Sequence, residues 1–320
     1  RTLKQVRDSL EADFGFNLHD QSRYYNAQRT AEPASISFLA PAYNFEKDIN
    51  EVRSKALKLI VVMNEILQQY APGQVGRYND DFEPRAFGDN IQKWGTSTIL
   101  IESGGYPEDR EKQEIRKLNF VAILSALHSI ATNNYQQVKV EKYENIPNND
   151  RMLFDLKISE VTYLLGENEY ILDLGINRNE NDINENTGFY YSSRIADQGD
   201  LSTSYGYDSF DARSYTLDFG KVYSEILQDT ASLKTLDFSR LLSEGIAYVR
   251  MKDLPDEMDH TSYPVNIVPE KFQLDAELRP GKMATFFLKK DGEIEYAVIN
   301  GFLVRPEDAE EQVENALILD

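Results

Sequence analysis

The sequence predicts an α/β layer structure over residues 1–138 and a mainly β region over residues 139–320. Three observations predict it. As far as about Tyr135, short apolar runs alternate with long amphipathic helical patterns, the texture of strands covered by helices. Beyond that point the segments alternate polar with apolar, and long helical patterns become rare. Between the two, Asn133-Asn134 and Pro147-Asn148-Asn149-Asp150 mark irregular chain.

Taken in order, Thr2 to Asp13 reads as a helix and Phe14-Gly15-Phe16-Asn17-Leu18 as a strand. Ile36 to Ala40 is a second strand, stopped by Pro41. Phe45 to Tyr70 carries Ile49, Val52, Ala56, Leu59, Ile60, Met63, Ile66 and Leu67 at helical spacing and stops at Pro72-Gly73. Thr96 to Ile101 is a strand that runs into Glu102-Ser103-Gly104-Gly105, and Glu108 to Thr132 is a second long helix. In the later region Leu153 to Val161, Glu169 to Ile176, Met283 to Leu288 and Glu295 to Val304 read as strands. Asp291-Gly292 signals a hairpin turn, and the polar stretch 177–188 reads as a loop.

The chain has 320 residues, 34 basic and 54 acidic, and a formal charge of −20. Its 19 Tyr and 16 Phe can fill a core, which excludes general disorder. The acidity argues against a phosphate-tracking nucleic-acid binder and against adhesion to anionic membrane. No apolar run approaches the ~20 residues of a membrane span, so no transmembrane segment is expected, and no signal peptide is visible after Arg1. Cysteine is absent, which removes disulfides, thiolate metal sites and cysteine nucleophiles. Only three histidines are present, His19, His128 and His260, and that scarcity limits metal chemistry more than the charge does.

Two residues stand where chemistry is favoured. His19 follows a predicted strand, at the carboxyl edge where ligands of open α/β sheets bind, and Asp20 beside it can orient an imidazole. The plain alternative is a surface histidine next to an acid. Glu102 ends a strongly apolar strand, where partial desolvation lifts a carboxyl toward a general base's range. The alternative for it is an ion pair with Arg85 or Arg110. Between them, residues 77–89 form a loop dense in binding-type side chains, including Tyr78, Arg85 and Gly88. A solvated surface loop would look the same.

Together these pieces resemble the C-terminal part of the catalytic domain of the zinc carboxypeptidase family. His19 at a strand end matches that family's third zinc ligand, and Thr96-Ser97-Thr98-Ile99-Leu100-Ile101-Glu102 is similar to the segment carrying its general-base glutamate. The two are 102 − 19 = 83 residues apart, in keeping with the resemblance. Phe87-Gly88-Asp89 resembles the family's small-x-Asp segment, and Tyr78 is the best match for its substrate-facing tyrosine. The resemblance covers about residues 1–135 and fits bacterial peptidases with an appended β domain. It implies a three-layer mixed sheet, a zinc cofactor, Glu102 as catalytic base, His19 as metal ligand, and Tyr78, Arg85 and Gly88 as substrate contacts. It further implies a peptide or peptidoglycan-peptide substrate and an exported or periplasmic setting. Gly88 at the specificity position offers no charge, which disfavours a pocket for basic side chains.

One departure is large. The family takes two zinc ligands from an upstream His-x-x-Glu, and none of the three histidines here is followed by that pattern. The expectation is therefore a piece of a catalytic domain whose preceding segment is missing, inactive as it stands. The alternative is a non-catalytic peptide- or glycan-binding module on a degenerate peptidase scaffold. His128, on a helix, reads as structural. His260 closes an acidic loop, Asp256-Glu257-Met258-Asp259, with hard-cation potential or simple solvation as its two readings. Leu153 to Thr162, Arg279 to Leu288 and Val298 to Val304 are similar to the small β domain of amidohydrolases. Only 279 − 162 = 117 residues separate the flanking segments, too few for that family's barrel, so an accessory domain is expected. Its tyrosines Tyr190, Tyr191, Tyr205 and Tyr207 read either as an exposed binding cluster or as ordinary sheet residues.

Overall fold

The computed structural model describes residues 2–183, 188–254 and 260–316. The chain divides into two compact units, Arg1–Leu153 and Phe154–Asp320. No helix among the described residues is long and apolar enough to cross a membrane.

The first unit is mixed α/β. Its elements are α1 (Thr2–Leu10), β1 (Phe14–Asp20), β2 (Asn26–Ala27), β3 (Ile36–Leu39), α2 (Glu51–Leu67), β4 (Val75–Arg77), α3 (Phe87–Lys93), β5 (Ser97–Ser103), α4 (Gln113–Thr132) and β6 (Asn149–Asp150). A four-stranded sheet has the order β1-β5-β3-β4. β1 runs parallel to β5, β5 antiparallel to β3, and β3 parallel to β4. Strand side chains alternate between faces, so Phe14, Phe16, Ile99, Ile101, Ile36 and Phe38 join one core with Leu59, Ile60 and Met63 of α2 and Leu118, Ala122 and Ala126 of α4. Each fully buried Ile or Phe contributes roughly 1.5–3 kcal/mol. The alternate residues His19, Glu102 and Ser37 are thereby turned to the opposite face.

α2 is shorter than its periodicity predicts. Asn50 caps it, its side chain accepting from Arg53 N at 2.9 Å, so the apolar residues upstream of the cap lie outside the helix. The unit also extends past the expected boundary at residue 138. A 3₁₀ turn at Val140–Asn145 places Tyr143 in the same core, Ile146 follows it there, and β6 pairs with β2.

The second unit is mainly β, with one part the sequence pattern does not announce. Its large sheet joins β7 (Leu153–Leu165), β8 (Asn168–Ile183), β9 (Gly188–Gly199), β10 (Tyr205–Asp211), β11 (Thr216–Asp218), β16 (Phe286–Lys290), β17 (Glu293–Ile299) and β18 (Phe302–Val304). The polar run 177–183, expected as a loop, is the end of β8. It pairs residue by residue with β9, from Asn177↔Arg194 to Ile183↔Gly188, because ladder hydrogen bonds need no apolar side chains. Asp291 and Gly292 both adopt positive φ, 51° and 87°, and make the tight β16–β17 turn that their sequence signals. The unexpected part is a parallel sheet of β12 (Lys221–Leu227), β13 (Ile246–Met251) and β15 (Asn266–Pro269), with α5 (Phe238–Ser243) crossing between the first two and the short β14 (His260–Thr261) preceding the third in the chain. Leu233, Leu242, Val249 and Ile267 fill its core.

Candidate functional site

The sheet of the first unit places three side chains in a row. His19 of β1 lies opposite Glu102 of β5, and Glu102 lies opposite Ser37 of β3. Residues facing each other across neighbouring strands share a face about 5 Å apart. The two residues singled out from the sequence are therefore neighbours at the carboxyl ends of parallel strands.

Glu102 is 7% exposed. Burial lifts its carboxyl above the ordinary value of 4.5; His19 pulls it down and Asp20 pushes it up. The charges acting on it are those of His19 and Asp20, and Arg85 pairs with Glu83 instead. His19 is exposed, with its Nε2 edge 2.9 Å from Asn17 Oδ1. Tyr78 follows β4 and is half-buried. Burial raises its hydroxyl pKa, and Glu102 is the next cause, so the tyrosine sits within electrostatic reach of the carboxylate. Gly88, near the start of α3, faces Asn17: a Cβ there would stand 3.4 Å from Asn17 Nδ2. Next to it, buried Asp89 accepts from Glu83 N at 2.8 Å, and burial raises its pKa. Arg85 stands apart, 92% exposed and paired with Glu83.

Three residues at this row carried no sequence signal. Gln21 Nε2 donates to Ala34 O at 2.8 Å and to Ser37 Oγ at 3.0 Å. Asn149 Nδ2 lies 3.2 Å from both Gln21 Oε1 and Ser37 Oγ. Glycines make the room for this network. A Cβ at Gly104 would meet Ala34 O at 2.4 Å and Gln21 Nε2 at 3.0 Å; one at Gly76 would meet Asn149 Cβ at 3.1 Å and Ser37 Oγ at 3.2 Å. Gln21 could have been flagged by its place two residues after His19, whereas Asn149 is distant in sequence and reads only as part of an irregular segment.

Tyr78 and Asn149 also line a cavity of about 520 Å³, together with Lys47, Arg53, Arg77 and Tyr143. Lys47 and Arg53 pair with Asp80, Arg77 pairs with Glu144, and Arg77 also covers the Tyr143 ring at 5.3 Å. Burial opposes ionisation of Asp80, but its bonds to Lys47 and Arg53 win and hold its pKa low.

His128 is exposed on α4 and belongs to no such row. His260 stacks on Tyr190 at 5.2 Å, while residues 255–259, with Asp256, Glu257 and Asp259, lie outside the described residues. Tyr190, Tyr191, Tyr205 and Tyr207 are half-buried, not an exposed cluster, and Tyr191 packs edge-on against Phe189 and Phe302.

A catalytic zinc takes about three protein ligands. Among the described residues no group of three or more His, Asp or Glu side chains is arranged to hold a metal. His19 is the one imidazole at the row, so these residues do not by themselves fit the ion.

No family model matches the chain, and no curated protein matches it. A solved structure described as a D-aminoacylase that defines a subset of amidohydrolases is similar at 24% identity and a TM-score of 0.23. The match covers 31% of this chain and 19% of that one, and a likeness so low carries no argument about fold or activity.

Proposed function

We propose that the first unit carries part of the active site of a zinc-dependent, carboxypeptidase-like peptide hydrolase, layered as in that family. One observation carries the reading: a desolvated Glu102 stands directly opposite His19 at the carboxyl edge of parallel strands. A desolvated carboxylate with a raised pKa is the kind of group that takes a proton from water and returns it to a leaving amine. Tyr78, within electrostatic range of Glu102, would hydrogen-bond a bound peptide. Arg85, exposed and paired with Glu83, stays a more distant substrate contact, and Gly88 leaves space beside Asn17. Zinc would add Lewis-acid chemistry, but its remaining ligands must come from outside the described residues. On this reading the chain alone is expected to be inactive and to bind zinc weakly.

The test is zinc content and carboxypeptidase activity of this chain and of a polypeptide extended upstream. The reading predicts metal and activity only in the extended form, with activity lost in Glu102→Gln. An extended form that neither holds zinc nor cleaves peptides overturns it. The second reading, a peptide- or glycan-binding module on a degenerate scaffold, is favoured by the lone imidazole. It predicts ligand binding that is indifferent to zinc and to Glu102→Gln.

A further inference from the structure

We infer that Asn149 is a substrate-positioning residue whose side-chain Oδ1 accepts a hydrogen bond from a backbone amide N–H of a peptide held in the cavity that Asn149 and Tyr78 line. This rests on the peptide-hydrolase reading and names a group through which the peptide is held.

The orientation of the Asn149 carboxamide follows from a chain of hydrogen-bond chemistry anchored on the backbone. The Ala34 carbonyl can only accept, so the Gln21 atom 2.8 Å from it is the donor Nε2. That turns Gln21 Oε1 toward Asn149, and the Asn149 atom 3.2 Å away must be its Nδ2. The same Nδ2 reaches Ser37 Oγ at 3.2 Å, so both of its hydrogens are engaged. A flipped Asn149 would set two acceptors against each other. Oδ1 is left as an acceptor with no protein donor on it among the described residues, on a residue that lines the cavity.

The surroundings choose an amide over an ion. The cations lining the cavity are already matched, Lys47 and Arg53 by Asp80 and Arg77 by Glu144. The Tyr78 hydroxyl, also without a protein partner among the described residues, supplies a neutral donor on the same wall. One neutral donor and one neutral acceptor suit the C=O and N–H of a peptide. Gly76 is part of the device, since a Cβ there would press on Asn149 Cβ at 3.1 Å and Ser37 Oγ at 3.2 Å and shift the carboxamide by a few tenths of an ångström.

The experiment measures binding, by calorimetry, of acetyl-tetra-alanine amide and of its analogues in which one backbone N–H at a time is replaced by an ester oxygen. Wild-type chain should bind one ester about tenfold more weakly than the amide, the effect of leaving a desolvated acceptor unpaired. Asn149→Ala should bind that ester and the amide alike. Gly76→Ala, which keeps the carboxamide but displaces it, should shrink the discrimination too, with thermal melting reporting whether each variant is folded. Equal wild-type binding of every ester, or discrimination that persists in Asn149→Ala, overturns the inference and leaves the hydrolase reading standing. Failure of every capped peptide to bind overturns the inference, while the hydrolase reading is decided separately by zinc content and activity of the extended form.

Discussion

Gly104→Ala tests whether the polar network beside Glu102 depends on close backbone approach. The added Cβ would lie 2.4 Å from Ala34 O, a backbone atom that no rotamer change can move, and 3.0 Å from Gln21 Nε2. β3 and the end of β5 must therefore separate by roughly 1 Å to reach van der Waals contact. That shift strains the Gly104 N–Ser35 O hydrogen bond of 2.9 Å and displaces Gln21 from Ala34 O. Overpacking costs about 1–3 kcal/mol and a lost internal hydrogen bond about 1 kcal/mol more, so the expected loss is about 3 kcal/mol. For a unit of this size that corresponds to a fall in Tm of roughly 6–12 °C. Calorimetry of the whole chain reads the first unit's transition, and amide exchange at 35–37 should accelerate with it. A fall below about 2 °C, with exchange at those amides unchanged, would refute the argument that the glycine is there for proximity.

Three other outcomes follow from the same geometry. Arg53→Met removes donors to Ala40 O at 3.1 Å, Lys47 O at 2.6 Å and Asp80 at 2.8 Å from a side chain 4% exposed; urea unfolding should show a loss of about 3 kcal/mol, and a loss under 1 kcal/mol would mean water replaces these bonds. Glu102 has its folded pKa raised above 4.5, so the stability its protonated form provides is complete below that value and fades as pH rises through the folded pKa. Glu102→Gln should therefore match wild type at pH 4 and be more stable at pH 7 by on the order of 1 kcal/mol; a difference that does not vary with pH contradicts this. Gly88→Ala adds a Cβ at ordinary contact distances, 3.4 Å from Asn17 Nδ2 and 3.5 Å from Pro41 Cγ. It should gain up to about 0.5–1 kcal/mol from helix propensity, and a loss in thermal melting would show that Asn17 cannot accommodate it.

What was legible in the sequence was whatever depends on local period and strand ends. Short apolar runs announced β1, β3 and β5, and a strand end announced both His19 and Glu102, because the burial that raises a carboxyl's pKa is itself written as an apolar run. Sheet order is not local. That His19 and Glu102 face each other across one ladder, with Ser37 as the next rung, depends on β1, β5 and β3 being neighbours although 83 residues separate the first pair. The same limit hid Asn149, which reads as turn chemistry and acquires a role only because β6 pairs with β2 and Gly76 lets it lie against the sheet. Polar strands failed differently: 177–183 has too little apolar character to look like a strand and is held by its partner ladder instead.

The row also explains why motif and site separate in this chain. A carboxylate base needs only burial and a strand end, both of which β5 supplies from its own residues. A metal needs several donors converging on one point, and the row offers one imidazole, one raised carboxyl and one serine whose oxygen is already bonded by Gln21 and Asn149. The serine is occupied with orienting amides. Under the proposed reading Glu102 accepts the proton, and metal binding by His19 stands or falls with donors that these residues do not supply.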